Sequence, residues 1–137
     1  MRALTVGGVG HILFAAFHLF FPVIFGWREA LSALSNGNRA ILYTLHQAVV
    51  LNLLVLAYVS ISHWRELMTT GLGRVIVLAI CLLWILRTLA EVAFFRIGVD
   101  GTWWRVALFP AMVLIYMIPF VNSLRTSVHQ QTWNGGT

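Results

Sequence analysis

Charged residues are scarce in this 137-residue chain: nine arginines and four acids make up only 9% of it, and lysine is absent. A soluble globular protein carries roughly 25% charged residues, so most of the surface of this chain would have to be apolar in water. The hydrophobic share is 60% and the mean hydropathy is +0.86. This composition excludes a disordered chain, a coiled coil and a soluble enzyme, and it indicates an integral membrane protein.

Cysteine is also nearly absent, since Cys81 is the only one. A single cysteine excludes disulfides within the chain, cysteine-rich zinc sites and dithiol redox chemistry. The net charge is +5, but the arginines stand apart from one another and most flank a hydrophobic segment. This distribution argues against nucleic acid as a partner and favours anchoring at lipid headgroups.

Four apolar stretches are about 20 residues long, the length of helix that crosses about 30 Å of hydrocarbon. The first is interpreted as a span and not as a cleaved signal sequence, because it lacks a small-x-small cleavage site. Its glycines, Gly7, Gly8 and Gly10, favour close helix packing. We therefore predict an all-helical polytopic membrane protein with four transmembrane helices in one antiparallel bundle. The predicted spans cover about residues 4–25, 40–62, 72–95 and 103–121.

The connection after the first span is the most patterned. Apolar residues recur at i, i+4 and i+7 from Trp27, which predicts a short interfacial helix over residues 27–35. Asn36, Gly37 and Asn38 are predicted to end it, because Gly37 is able to take a positive φ and Asn38 is a good N-cap for the second span. The last residues, 126–137, form a polar tail.

The arginines do not decide the orientation in the membrane. Four spans place both chain ends on one side, and the arginines other than Arg87 then divide four against four. The side of the chain ends carries Arg2, Arg65, Arg74 and Arg125, and the other side carries Arg28, Arg39, Arg96 and Arg105. Fewer acids lie near the first of these sets, which favours a cytoplasmic location for both termini.

Several polar side chains lie within the predicted spans. An ionisable group in hydrocarbon costs about 2.5 to 3.5 kcal/mol, so such groups usually face the bundle interior. Counting about 1.5 Å per residue places four of them in the bilayer half nearest Trp27, whereas His11 lies about 10 Å from His18 along its helix. The predicted site comprises His18, His46, Arg87 and Glu91, with Tyr43 and Arg39 nearby.

This set of residues is compatible with several ligands. His18 and His46 are candidate axial ligands of a b-type haem, with Arg87 meeting a propionate, or candidate metal ligands with Glu91 as the third. Arg39 and Arg87 are alternatively candidates for a positive pocket that accepts a carboxylate or a lipid phosphate. A di-iron carboxylate centre is excluded because Glu91 is the only acid in any span. The working hypothesis is a protein that binds a ligand or cofactor.

Other functional classes remain open. The chain is alternatively a small oligomeric transporter or an ion or proton channel, in which His18, His46 and Glu91 relay a proton and His11 marks the far end. It is alternatively a structural membrane subunit whose polar cluster fixes helix register. Expected partners are the lipid bilayer, further copies of the chain or another membrane subunit, and a small-molecule ligand. The residues do not decide whether the protein is an enzyme, and a soluble lipid-binding fold is the structural competitor.

Several motifs lie between residues 25 and 91: Trp27-Arg28-Glu29-Ala30-Leu31, Asn38-Arg39-Ala40, His46, the segment 60–74, and Trp84-x-x-Arg87-x-x-x-Glu91. In these features the chain resembles a group of uncharacterised small bacterial four-helix membrane proteins. The resemblance covers about half of the chain. It implies the fold and a bacterial inner-membrane location, and it carries over no catalytic residue.

Overall fold

The computed structural model describes residues 2–94 and 103–134, and every element in these two ranges is an α-helix. Helices α1, α4 and α6 and residues 107–124 of α7 are long and apolar enough to cross a membrane. This confirms the predicted all-helical class and the number of candidate spans. The helices are α1 (Arg2–Leu19), α2 (Phe21–Ile24), α3 (Trp27–Ala30), α4 (Asn36–Ser62), α5 (Trp64–Thr69), α6 (Gly71–Phe94) and α7 (Trp103–Asn134).

The first predicted span is interrupted near its end. α1 stops at Leu19 and α2 starts at Phe21, because Pro22 has no N–H to donate to the carbonyl four residues earlier. Gly26 then takes a left-handed conformation with φ 54°, which suits a residue without a Cβ. The interfacial helix predicted over residues 27–35 is shorter in the structure, where only the single turn α3 is helical.

The start of the second span also differs from the prediction. α4 begins at Asn36, and its N-cap is Ser35, whose Oγ accepts a hydrogen bond from the Asn38 backbone N–H at 3.3 Å. Serine caps well because its short side chain reaches the first unpaired N–H groups of a helix. Asn38 is thus the capped residue and not the cap, and Gly37 lies inside α4 without a positive φ.

The last helix is longer than the predicted span, because α7 continues to Asn134 through most of the predicted polar tail. Residues 95–102, which connect the third and fourth spans, lie outside the described residues. The side chains of His129 and Trp133 also fall outside that description.

The glycines of α1 allow its neighbours to approach closely. A Cβ added at Gly7 would lie 2.6 Å from the Tyr116 ring, and one added at Gly8 would lie 3.1 Å from the Ala57 carbonyl oxygen. Small residues at helix contacts are how membrane helices gain packing energy without a hydrophobic driving force. α1 therefore packs tightly against both α4 and α7, and its inward face reaches the centre of the molecule.

Candidate functional site

His11 of α1 is a fully buried polar residue in the core. The Trp84 indole N–H donates to His11 Nε2 at 3.0 Å, and the Tyr116 hydroxyl lies 3.0 Å from His11 Nδ1. The same hydroxyl lies 2.7 Å from Ser60 Oγ. We call these four residues the His11 hub; it joins α1, α4, α6 and α7 by side-chain hydrogen bonds in the core.

The chemistry of the partners fixes the direction of the two His11 bonds. An indole N–H can only donate, so His11 Nε2 accepts, and the neutral imidazole carries its hydrogen on Nδ1. The Tyr116 oxygen accepts that hydrogen, and the Tyr116 and Ser60 hydroxyls share a hydrogen bond that either of them can donate. A charged imidazolium would place a second N–H against the indole N–H. The hub thus favours a neutral histidine that holds four helices in register.

His11 is not part of the site predicted from the sequence, because that prediction used only the depth of each residue along its own helix. A usable signal was present in α1: Leu4, Gly7, His11 and Ala15 recur every three or four residues and are all buried. A row of small residues at that spacing marks the helix face that a neighbour covers. The histidine on that face is the one that enters the core.

His18 and His46 lie together, as expected from their depth. His18 Nδ1–H donates to the Phe14 carbonyl at 2.8 Å, and His46 Nε2–H donates to the His18 carbonyl at 2.8 Å. The two ring centroids are 6.3 Å apart. The His18 carbonyl is the one whose usual helical donor would be residue 22, a proline. His46 therefore satisfies a backbone acceptor that the break after α1 exposes.

Arg87 and Glu91 form an ion pair one helical turn apart. Arg87 Nη1 lies 2.8 Å from Glu91 Oε2, and the side chains are 36% and 2% exposed. The guanidinium carbon lies 4.6 Å from the centroid of the Phe109 ring, within range of a cation–π interaction. Glu91 is thus a buried counter-ion that holds the Arg87 guanidinium in place at the surface of α6.

Tyr43 and Arg39 have local roles. Arg39 Nη2 donates to the carbonyls of Ser32 and Leu34, each at 3.3 Å, and so satisfies the turn that follows α3. Tyr43 packs edge-on against Trp27, with ring centroids 5.4 Å apart. The structure therefore brings His18, His46 and Tyr43 to the same end of the molecule, but it does not combine Arg39 with Arg87 in one pocket.

A cavity of about 1110 Å³ runs along α1 and is walled by α4, α6 and α7 as well. Its wall is largely aliphatic and aromatic, and Leu13 in that wall is 66% exposed. The cavity is therefore open sideways, toward the surroundings of the apolar helices. Within the described part of the chain, the ionisable and polar wall residues other than Trp84 are Arg2, Thr5, His18, Asn52 and Arg87, and none is acidic.

The described residues contain no group of three or more His, Cys, Asp or Glu side chains placed to hold a metal ion. His18 lines the cavity, whereas His46 does not. Each of these histidines uses one ring nitrogen on a backbone carbonyl, which leaves one nitrogen per ring for a ligand. The arrangement is thus better suited to the contact of one imidazole with a ligand in the cavity than to a shared metal.

No protein family, curated protein or solved structure matches this chain. Its function is therefore inferred from the side-chain geometry alone.

Proposed function

We propose that this chain is an antiparallel four-helix bundle of the bacterial inner membrane that binds an anionic amphiphile, an acidic lipid, in the lateral cavity. The observation that carries the proposal is the cavity wall, which combines a large apolar surface with Arg2 and Arg87 and has no acid among its described residues. Glu91, the ion-pair partner of Arg87, lies outside this wall. Its volume of about 1110 Å³ exceeds the range of about 300–1,000 Å³ that is typical of small-molecule sites.

The antiparallel arrangement is supported by the order of the contacts. Gly8 near the start of α1 meets Ala57 near the end of α4, and His18 at the end of α1 meets His46 near the start of α4. Neighbouring helices that run in opposite directions produce this order. Short connections between consecutive spans produce it naturally.

Selectivity for an acidic lipid must come from its headgroup. An acyl chain that moves from the bilayer to an apolar cavity wall gains little free energy, since lipid is as apolar as leucine. A guanidinium that donates to a carboxylate or phosphate makes a charge-assisted and often bidentate interaction, which strengthens away from water. Arg87 is placed for this contact by Glu91 and Phe109, and the imidazole of His18 lines the same end of the cavity.

Native mass spectrometry tests this proposal on the detergent-solubilised protein. We expect the protein to retain phosphatidylglycerol in preference to phosphatidylcholine, because only the former carries a net negative charge. Replacing Arg87 alone would remove the counter-ion of the buried Glu91, so the variant of choice is Arg87→Gln/Glu91→Gln. Loss of a charged hydrogen bond is worth about 1.5–3 kcal/mol, so we expect retention of phosphatidylglycerol to weaken about 10- to 100-fold.

Arg65→Gln is the matched control, since Arg65 is an exposed residue of α5 outside the cavity wall. Equal retention of the two lipids, or an unchanged preference in the double variant, would overturn the proposal. A Soret absorption band that disappears in both His18→Ala and His46→Ala would overturn it in favour of haem.

A further inference from the structure

The cavity extends through most of the thickness of a bilayer. Most of its polar wall residues lie toward the two ends, with Arg2 and Thr5 near the start of α1 and His18 near its end, where His18 interacts electrostatically with Arg87. His18 lies 16 residues after Arg2, which is about 24 Å of helix. The hydrocarbon core is about 30 Å thick, so the two arginines face opposite leaflets.

A third polar position lies between the two ends. Asn52 of α4 is exposed and lines the cavity. α4 contacts α1 at His18 through His46 and at Gly8 through Ala57, so Asn52 lies between these levels, close to mid-membrane. A carboxamide has both donors and an acceptor, and a polar group at this depth usually faces a pathway or a partner.

We infer that the cavity is a route by which lipid headgroups cross between the two leaflets. This inference rests on the proposed function, because the headgroup that binds at Arg87 is the one that moves. The headgroup passes from Arg87 and His18 to Asn52 and then to Arg2, while the acyl chains stay in the bilayer through the lateral opening. The movement breaks no covalent bond and equilibrates the leaflets without an energy source.

The barrier to such movement is the loss of hydrogen bonds by the headgroup in hydrocarbon. Asn52 lowers that barrier because it offers hydrogen bonds near mid-membrane, where the headgroup is too far from Arg2 and Arg87 to contact either. We therefore expect Asn52→Leu to slow the crossing about tenfold, the effect of one hydrogen bond of about 1.4 kcal/mol. Gln47→Leu is the matched control, since Gln47 is an exposed amide of the same helix outside the cavity wall.

A second pair of variants tests whether narrowing the cavity slows the crossing. Leu13→Trp places a large ring in the cavity wall, whereas Ile12→Trp places the same ring on an exposed part of α1 outside it. We expect the first to slow the crossing severalfold and the second to leave it unchanged.

The crossing is measured in liposomes that contain the full-length protein and a headgroup-labelled fluorescent phosphatidylglycerol in both leaflets. Added dithionite bleaches only the outer leaflet unless the inner lipid crosses. We expect complete bleaching with the unmodified protein, slower bleaching with Asn52→Leu and Leu13→Trp, and no slowing with the two controls.

Three results would overturn the inference. Bleaching that stops at the outer leaflet, with the phosphatidylglycerol preference intact by native mass spectrometry, refutes the crossing but not the binding. If the lipid preference is also absent, the proposed function fails as well. Bleaching of an encapsulated water-soluble dye at the same rate shows that dithionite enters, which indicates a channel for ions and not a lipid route.

Discussion

Replacing Tyr116 by phenylalanine is the most direct test of the His11 hub. The tyrosine is fully buried, and its hydroxyl contacts both His11 and Ser60. Phenylalanine keeps the ring and its packing against Gly7 and removes only the oxygen. The change in stability therefore reports the hydrogen bonds that link three helices.

The size of the effect follows from the two bonds that are lost. A hydrogen bond between membrane helices contributes about 0.6 kcal/mol on average and up to about 1.7 kcal/mol, so two contribute about 1–3 kcal/mol. Ser60 can turn its hydroxyl to a carbonyl of its own helix, and the His11 imidazole retains a backbone hydrogen bond to Gly7. We therefore expect a loss at the lower end of this range, about 1 kcal/mol, which is about fivefold in the unfolding equilibrium constant.

The assay is reversible unfolding in mixed detergent micelles by increasing dodecyl sulfate, followed by circular dichroism. Tyr58→Phe is the control, because that hydroxyl is on a residue 61% exposed and lies 3.4 Å from His63 Nε2. We expect the control to change the free energy of unfolding by less than about 0.5 kcal/mol. If the two variants are equally stable, the hub does not hold the helices together.

Two further predictions concern the backbone. His46→Leu should destabilise the protein by about 1 kcal/mol because it strips the His18 carbonyl of its donor, and by less in a Pro22→Ala background, where residue 22 supplies an N–H. Equal effects of His46→Leu in both backgrounds, measured by the same unfolding assay, would contradict this role. Gly7→Ala should lower the free energy of unfolding by about 1–3 kcal/mol, because its Cβ would meet the Tyr116 ring at 2.6 Å. Gly37→Ala, with nothing within 4 Å, should be neutral or stabilising, and a thermal shift of the same sign for both glycine variants would argue against the close approach of α1 and α7.

The architecture was predictable because a bilayer imposes it on the residues. Backbone polar groups have no water partners in hydrocarbon, so a span must be a helix of about 20 apolar residues, and four such stretches are visible in the sequence. Depth was also predictable, since each helical residue advances by a constant rise. On that basis His18 and His46 were expected at one level, and their rings do lie 6.3 Å apart.

The order of the residues is enough to establish four apolar helices and to calculate the depth of their few polar side chains. Which of those side chains meet depends on the packed molecule, because contact between helices depends on how each one is rotated and how closely the backbones approach. Close packing at Gly7 and Gly8 places the His11 face of α1 against its neighbours. His46 donates to the His18 carbonyl, which Pro22 cannot reach with an N–H. Arg39 donates to carbonyls of the turn after α3 and does not line the cavity. These outcomes rest on contacts between residues far apart in the chain. The spacing of Leu4, Gly7, His11 and Ala15 marks the buried face of α1, but it does not identify the side chains that cover that face.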